Sequence, residues 1–154
     1  MTTDINSPDY EHVNHPRHYN VHPSGVEAID LCEVMEFNTG NAFKYLFRAN
    51  NKGKALQDVE KALWYINREI ERVKALSTET PLVLQELTCS NHLWTAKHIE
   101  QAENVIDHET DERLRTIYTN LFEQVSGPYR VSVLCNVRYE LEAFIQELKN
   151  GQPT

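Results

Sequence analysis

The sequence is poor in the residues that interrupt helices. Five glycines and six prolines serve 154 residues, and Pro8, Pro16, Pro23 and Pro153 lie outside the long periodic stretches. Both residue types are costly inside a helix, so long segments without them favour an all-α fold. Cysteine is sparse as well: Cys32, Cys89 and Cys135 are odd in number, widely spaced and form no CxxC. That pattern excludes a disulfide framework and describes reduced thiols in a cytoplasmic protein. No apolar run approaches the roughly 20 residues of a membrane helix. The polar, acidic stretch from Met1 to Asp9 lacks the basic and apolar regions of a signal peptide. The glycines are isolated and no GxxxxGK[ST] string occurs, which excludes a P-loop kinase. GxSxG, HExxH and Cys-His nucleophile contexts are missing too.

Positive charge is also in deficit. The net charge is −8, which repels a phosphate backbone and argues against duplex nucleic acid as a partner. The deficit is uneven. From Gly40 to Ala75 eight Lys or Arg face four acids, so this stretch is +4 and the remainder −12. A local basic patch on an acidic protein suits a small anion such as a nucleotide.

What the chain has in abundance is helical periodicity. Residues 1–13 read as a flexible lead, followed by the polar and aromatic cluster His15-Pro16-Arg17-His18-Tyr19. Ser24-x-x-Glu27 fits a capping box and predicts a first helix over 24–35. Thr39 caps a second helix to Asn50, with Gly53 as its left-handed stop. Leu56, Val59, Leu63, Ile66, Ile70 and Val73 recur at alternating spacings of three and four, which predicts a third helix over 54–76 with a narrow packing seam.

The rest of the chain reads as a C-terminal helical region, 79–154. Pro81 can open a short helix. Ile99, Ala102 and Ile106 mark a helix over 91–107. Leu114, Ile117, Tyr118, Leu121, Phe122 and Val125 form a stripe behind a cap at Thr110 or Asp111. Leu134, Val137, Leu141, Ile145 and Leu148 mark a last helix over 129–150. The expected architecture is therefore all-α: a small three-helix domain over 14–78 followed by a C-terminal helical unit.

Two polar faces stand out. Asn41, Lys44 and Arg48 share one face of the second helix, with Tyr45 at its edge. Asp58, Lys61 and Tyr65 have the same spacing on the third. In an antiparallel hairpin these faces converge, and the cations suit phosphate binding through charge-assisted hydrogen bonds. The same spacing also suits a merely solvated face with weak surface pairing. Glu27, Asp30 and Glu33 form an acidic row that could hold magnesium, or simply be solvated. His12, His15, His18 and His22 cluster but match no standard zinc spacing, while His92, His98 and His108 read as helix-surface residues. Trp64 and Trp94, with apolar neighbours, read as packing residues.

An ordered string of residues carries a resemblance. His15-Pro16-Arg17-His18-Tyr19, Glu27-Ala28-Ile29, the run from Gly40 to Ala49, Lys52-Gly53 and the run from Asp58 to Tyr65 resemble a small phage domain. Its best-described members are phage nucleotide kinases, which phosphorylate nucleoside monophosphates without a P-loop. The resemblance covers about residues 14–76.

It implies a nucleoside monophosphate kinase with Lys44, Arg48, Lys61 and Asp58 as catalytic residues, Asp58 holding Lys61. It implies substrate contacts from His18, Tyr19, Asn41, Tyr45, Lys52 and Tyr65. The nucleotide would bring Mg2+ where the reaction uses it, and no metal-binding residues are assigned. Three short helices make a shallow cleft, so a homo-oligomer is expected. Three other readings stand beside it. One is a non-catalytic protein that sequesters a nucleotide or cyclic nucleotide made by host defence. Another is an all-α pyrophosphohydrolase using Glu27, Asp30 and Glu33. The third is a host-interaction protein whose partner surface is the C-terminal region.

Overall fold

A computed structural model describes residues 16, 19, 21–49, 53–79, 93–123 and 127–151. Among them are six helices and no strand: α1 (Ala28–Cys32), α2 (Phe37–Ala49), α3 (Ala55–Glu79), α4 (Ala96–His108), α5 (Glu112–Phe122) and α6 (Gly127–Asn150). The expected all-α class is what the chain adopts. No helix among the described residues is long and apolar enough to cross a membrane.

The first helix is shorter than its sequence suggests, and Ser24 does not cap it. Gly25 takes φ 72°, a left-handed conformation that breaks any helix begun at Ser24. The Ser24 hydroxyl instead accepts the Val26 N–H at 3.2 Å. Glu27 is the N-cap residue, and Asp30 Oδ2 accepts its N–H at 3.1 Å. Thr39 also differs from expectation. It lies buried inside the first turn of α2, its hydroxyl donating back to the Glu36 carbonyl at 3.2 Å. Gly53 does take the expected positive φ, 65°. Asp111 caps α5, accepting from the N–H groups of Arg113 and Leu114 at 2.9 and 3.0 Å. The short helix expected after Pro81 lies outside the described residues.

Helix α3 is the spine. Val59, Ile66, Ile70 and Val73 of its seam are buried, and Leu56 and Leu63 are half-buried. The helix packs along α2 on one side and along α6 on the other. From α6, Leu134, Val137, Leu141 and Ile145 enter the core. From α5, Leu114, Ile117, Tyr118, Leu121 and Phe122 do so. On α4 the buried pair is Ala102 and Val105, while Ile99 faces outward. Phe43 of α2 meets the rings of Tyr118 and Phe122 edge-on at 5.3 and 5.1 Å. A single hydrophobic core thus draws on residues from both halves of the chain.

One polar tie fastens the segment before α1 to the α4–α5 corner. The His22 ring stacks on Phe47 at 4.8 Å, with Nε2 3.1 Å from Glu109 and Nδ1 2.7 Å from the Ser24 hydroxyl. Asn104 donates to the Ser24 carbonyl at 3.1 Å. Burial pushes the Glu109 carboxyl up, but the bonds from His22 and from the Asp111 N–H outweigh it, and its pKa falls below the usual range.

Candidate functional site

Helices α2 and α3 run antiparallel. Arg48, near the end of α2, meets Asp58 in the first turn of α3. Phe37, at the start of α2, meets Tyr65 further along α3. The two polar faces seen in the sequence therefore do converge, along one groove.

At one end of the groove Arg48 and Asp58 saturate each other. The guanidinium donates Nε–H to Oδ2 at 3.0 Å and Nη2–H to Oδ1 at 2.8 Å, and Nη1–H goes to the Tyr19 hydroxyl at 2.8 Å. Its carbon lies 4.6 Å from the Tyr45 ring centroid. The side chains are 12% and 2% exposed. Burial works against the charge on Arg48, yet the bonds to Asp58 and the neighbouring Tyr19 raise its pKa. Asp58 thus holds Arg48, where the sequence reading had it hold Lys61. The antiparallel register sets Asp58 directly across from Arg48, and both carboxylate oxygens are used there.

The two lysines are placed differently. Lys44 Nζ lies 5.0 Å and Lys61 Nζ 5.3 Å from the centroid of the same Tyr45 ring. Lys44 donates to Asn41 Oδ1 at 2.8 Å, and Asn41 is held by its own bond to the Phe37 carbonyl at 2.7 Å. No described residue offers either lysine a carboxylate within ion-pair distance. Tyr65 stacks on Tyr45 at 5.9 Å and completes the apolar floor. Of the remaining residues the sequence singled out, Tyr19 joins the cluster through Arg48, while His18 and Lys52 lie outside the described residues.

Beyond Tyr65 lies a pocket of about 620 Å³. Trp64 lies on its rim and is 61% exposed, so it is not the packing residue its apolar neighbours suggest. It falls beside the α3 seam rather than on it. Trp94 does pack, against Phe122 at 6.1 Å. The far end of the pocket carries an ion cluster that spacing did not reveal. Arg72 donates to Glu69 through Nε and Nη2 at 2.9 and 2.7 Å, Asn38 donates to Glu69 at 2.8 Å, and Arg130 of α6 donates to Glu36 at 2.9 Å. The available signal was Glu69 itself, a charge in the row Ala62, Ile66, Glu69, Val73 on the core side of α3.

Burial would raise the Glu69 pKa, but Arg72, Glu36 and Asn38 bring it down to about 2. Burial and the neighbouring Glu69 move Glu36 the other way. A depressed carboxyl stabilises the fold above its ordinary pKa of 4.5 and loses that contribution as pH falls towards 2. Wild-type urea midpoints are therefore expected to drop over that window. In Glu69→Gln the acid dependence should be shallower by the proton Glu69 takes up; an unchanged slope would contradict the assignment.

Other candidates do not assemble. Asp30 is engaged as the α1 cap, Glu33 is exposed, and no three His, Cys, Asp or Glu among the described residues gather as metal ligands. Burial pushes the Cys32 thiol up to about 12, and it donates to the Gly40 carbonyl at 3.3 Å, so it is an inert thiol.

Residues 13–67 match the model of a family described as proteins of unknown function (DUF3310). The match takes in α1, α2 and the first half of α3, and so the lysine end of the groove. No curated protein and no solved structure matches the chain.

Proposed function

We propose that the α2–α3 groove binds a nucleoside phosphate, with Lys44 and Lys61 on the phosphate groups. The observation that carries this reading is the lysine pair: two ammonium groups from different helices, about one tyrosine ring, with no carboxylate among the described residues to neutralise them. Asn41 positions Lys44, and Tyr45 and Tyr65 give the ligand an apolar floor. Arg48 and Asp58 hold the helices in register through Tyr19 and Tyr45. Phosphoryl transfer to a nucleoside monophosphate is the activity implied by the resemblance to phage nucleotide kinases. That chemistry rests mostly on positioning and charge neutralisation, which two lysines can supply.

One observation favours binding without turnover. Asp58, the carboxylate assigned to the catalytic set, is 2% exposed with both oxygens bonded to Arg48, so it is not open to an acceptor hydroxyl. The two readings part on a single assay. The protein is incubated with nucleoside mono- and triphosphates, with and without Mg2+, and the products are separated by chromatography. Diphosphate formation that falls at least tenfold in Lys44→Ala and in Lys61→Ala supports the kinase. Unchanged nucleotides retained by wild type and lost in both variants support a sequestering protein. Retention or turnover indifferent to both lysines would remove the groove from the account.

A further inference from the structure

The pocket beyond Tyr65 has the form of a ring-binding slot. Phe37 and Trp64, from different helices, are 76% and 61% exposed. Single exposed aromatics are ordinary on a folded surface, but here two of them line one concavity. Both stand steeply to the same neighbour. The Phe37 ring makes 73° with Tyr65 at 6.2 Å, and the Trp64 ring makes 89° at 5.0 Å. Tyr65 is therefore a floor, and Phe37 and Trp64 rise from it as walls. Tyr65 also stacks on Tyr45, the ring that the two lysines share. Tyr65 thus links the pocket to the ring that carries the two lysines.

We infer that Phe37 and Trp64 hold the base of the nucleotide whose phosphates lie on Lys44 and Lys61. The inference rests on the phosphate reading above and adds the location of the base. Helix geometry sets the span. Trp64 follows Lys61 by three residues, and Phe37 precedes Lys44 by seven, so base and phosphate sites lie about one to two helical turns apart, roughly 5–10 Å. That is the length scale of one nucleotide. Polar groups at the slot suit a base edge. Arg68 is exposed on the pocket lining and offers planar N–H donors. Asn38 gives its Nδ2–H to Glu69, which leaves its Oδ1 as an acceptor. Stacking is tolerant of base identity because every base has a π face, so the slot sets affinity for nucleotides as a class.

Trp64 reports on its own occupancy. Nucleotide is titrated into wild type, Trp64→Phe, Phe37→Ala and Trp64→Ala, with tryptophan emission and equilibrium binding both read. Inorganic tripolyphosphate is titrated in parallel as a ligand without a base. Both aromatic side chains are exposed, so these variants keep the fold, and Trp94 remains as an internal emitter. Quenching by nucleotide is expected in wild type and should vanish in Trp64→Phe. Phe37→Ala and Trp64→Ala should each weaken nucleotide binding at least about fivefold and leave tripolyphosphate binding unchanged. Lys44-dependent nucleotide binding with no quenching and no effect of either alanine would overturn the base site and leave the phosphate site standing. Failure of wild type to bind either ligand would overturn both.

Discussion

Asp58→Asn is expected to cost about 3–5 kcal/mol of folding free energy, the cost of stranding one member of a buried ion pair. Asp58 is 2% exposed and accepts two bonds from an arginine that is itself mostly buried. Removing its charge leaves the Arg48 guanidinium against Tyr19 and Tyr45 without its one counter-ion among the described residues. Urea unfolding should show the loss as a lower midpoint with little change in slope. The double variant Arg48→Met with Asp58→Leu should recover most of it, since a well-packed apolar pair avoids the desolvation that an ion pair incurs. The contrast is quantitative. An Arg48 that served as a solvated phosphate clamp would have only a surface pair to lose, worth about 0–1 kcal/mol. A cost below about 1 kcal/mol would therefore return Arg48 to the list of ligand-binding cations.

A chain ending at residue 78 should fail to fold cooperatively. The first three helices do not close a core by themselves. Phe43 is sealed by Tyr118 and Phe122, and the side of α3 away from α2 is covered by α6. Without α5 and α6, Phe43, Ile66, Ile70 and Val73 lose much of their cover. Burying one such side chain stabilises by about 1.5–3 kcal/mol, so losing several removes a stability of only about 5–15 kcal/mol. Circular dichroism of the truncated chain should show reduced helix and a broad thermal transition. A sharp transition with helicity in proportion to length would contradict the shared core. The resemblance and the family match both end before this second half begins, yet the groove they point to depends on it for support.

The helices were legible in the sequence wherever periodicity is a property of a single helix. The three-four seam of α3, the α5 stripe from Leu114 to Phe122 and the Gly53 stop behave as their spacing requires, while Val125 of that stripe lies outside the described residues. The groove was legible in part for the same reason: Asn41, Lys44 and Arg48 share a face, as do Asp58, Lys61 and Tyr65. Which partner each residue meets depends on the register between helices, and a single helix does not encode that. Asp58 therefore paired with Arg48 across the groove instead of Lys61 on its own helix. Ser24-x-x-Glu27 and Glu27-x-x-Asp30 are overlapping capping-box patterns, and the left-handed Gly25 decides for the second. On α4 the stripe of Ile99, Ala102 and Ile106 is met only in part: Ala102 is buried and Ile106 half-buried, while Ile99 is exposed and Val105 is buried beside them. Trp64 was misplaced by its composition, since a tryptophan among apolar neighbours can still point off the seam.

The central claim is that one groove, between α2 and α3, holds the nucleotide. The most direct test is titration of nucleotide into ¹⁵N-labelled full-length protein, followed by backbone amide shifts. The account predicts a contiguous set of perturbed amides from Phe37 to Arg48 on α2 and from Lys61 to Arg68 on α3, with α4 and the middle of α6 unmoved. Perturbations centred on α4, α5 or α6, or none at saturating nucleotide, would contradict it.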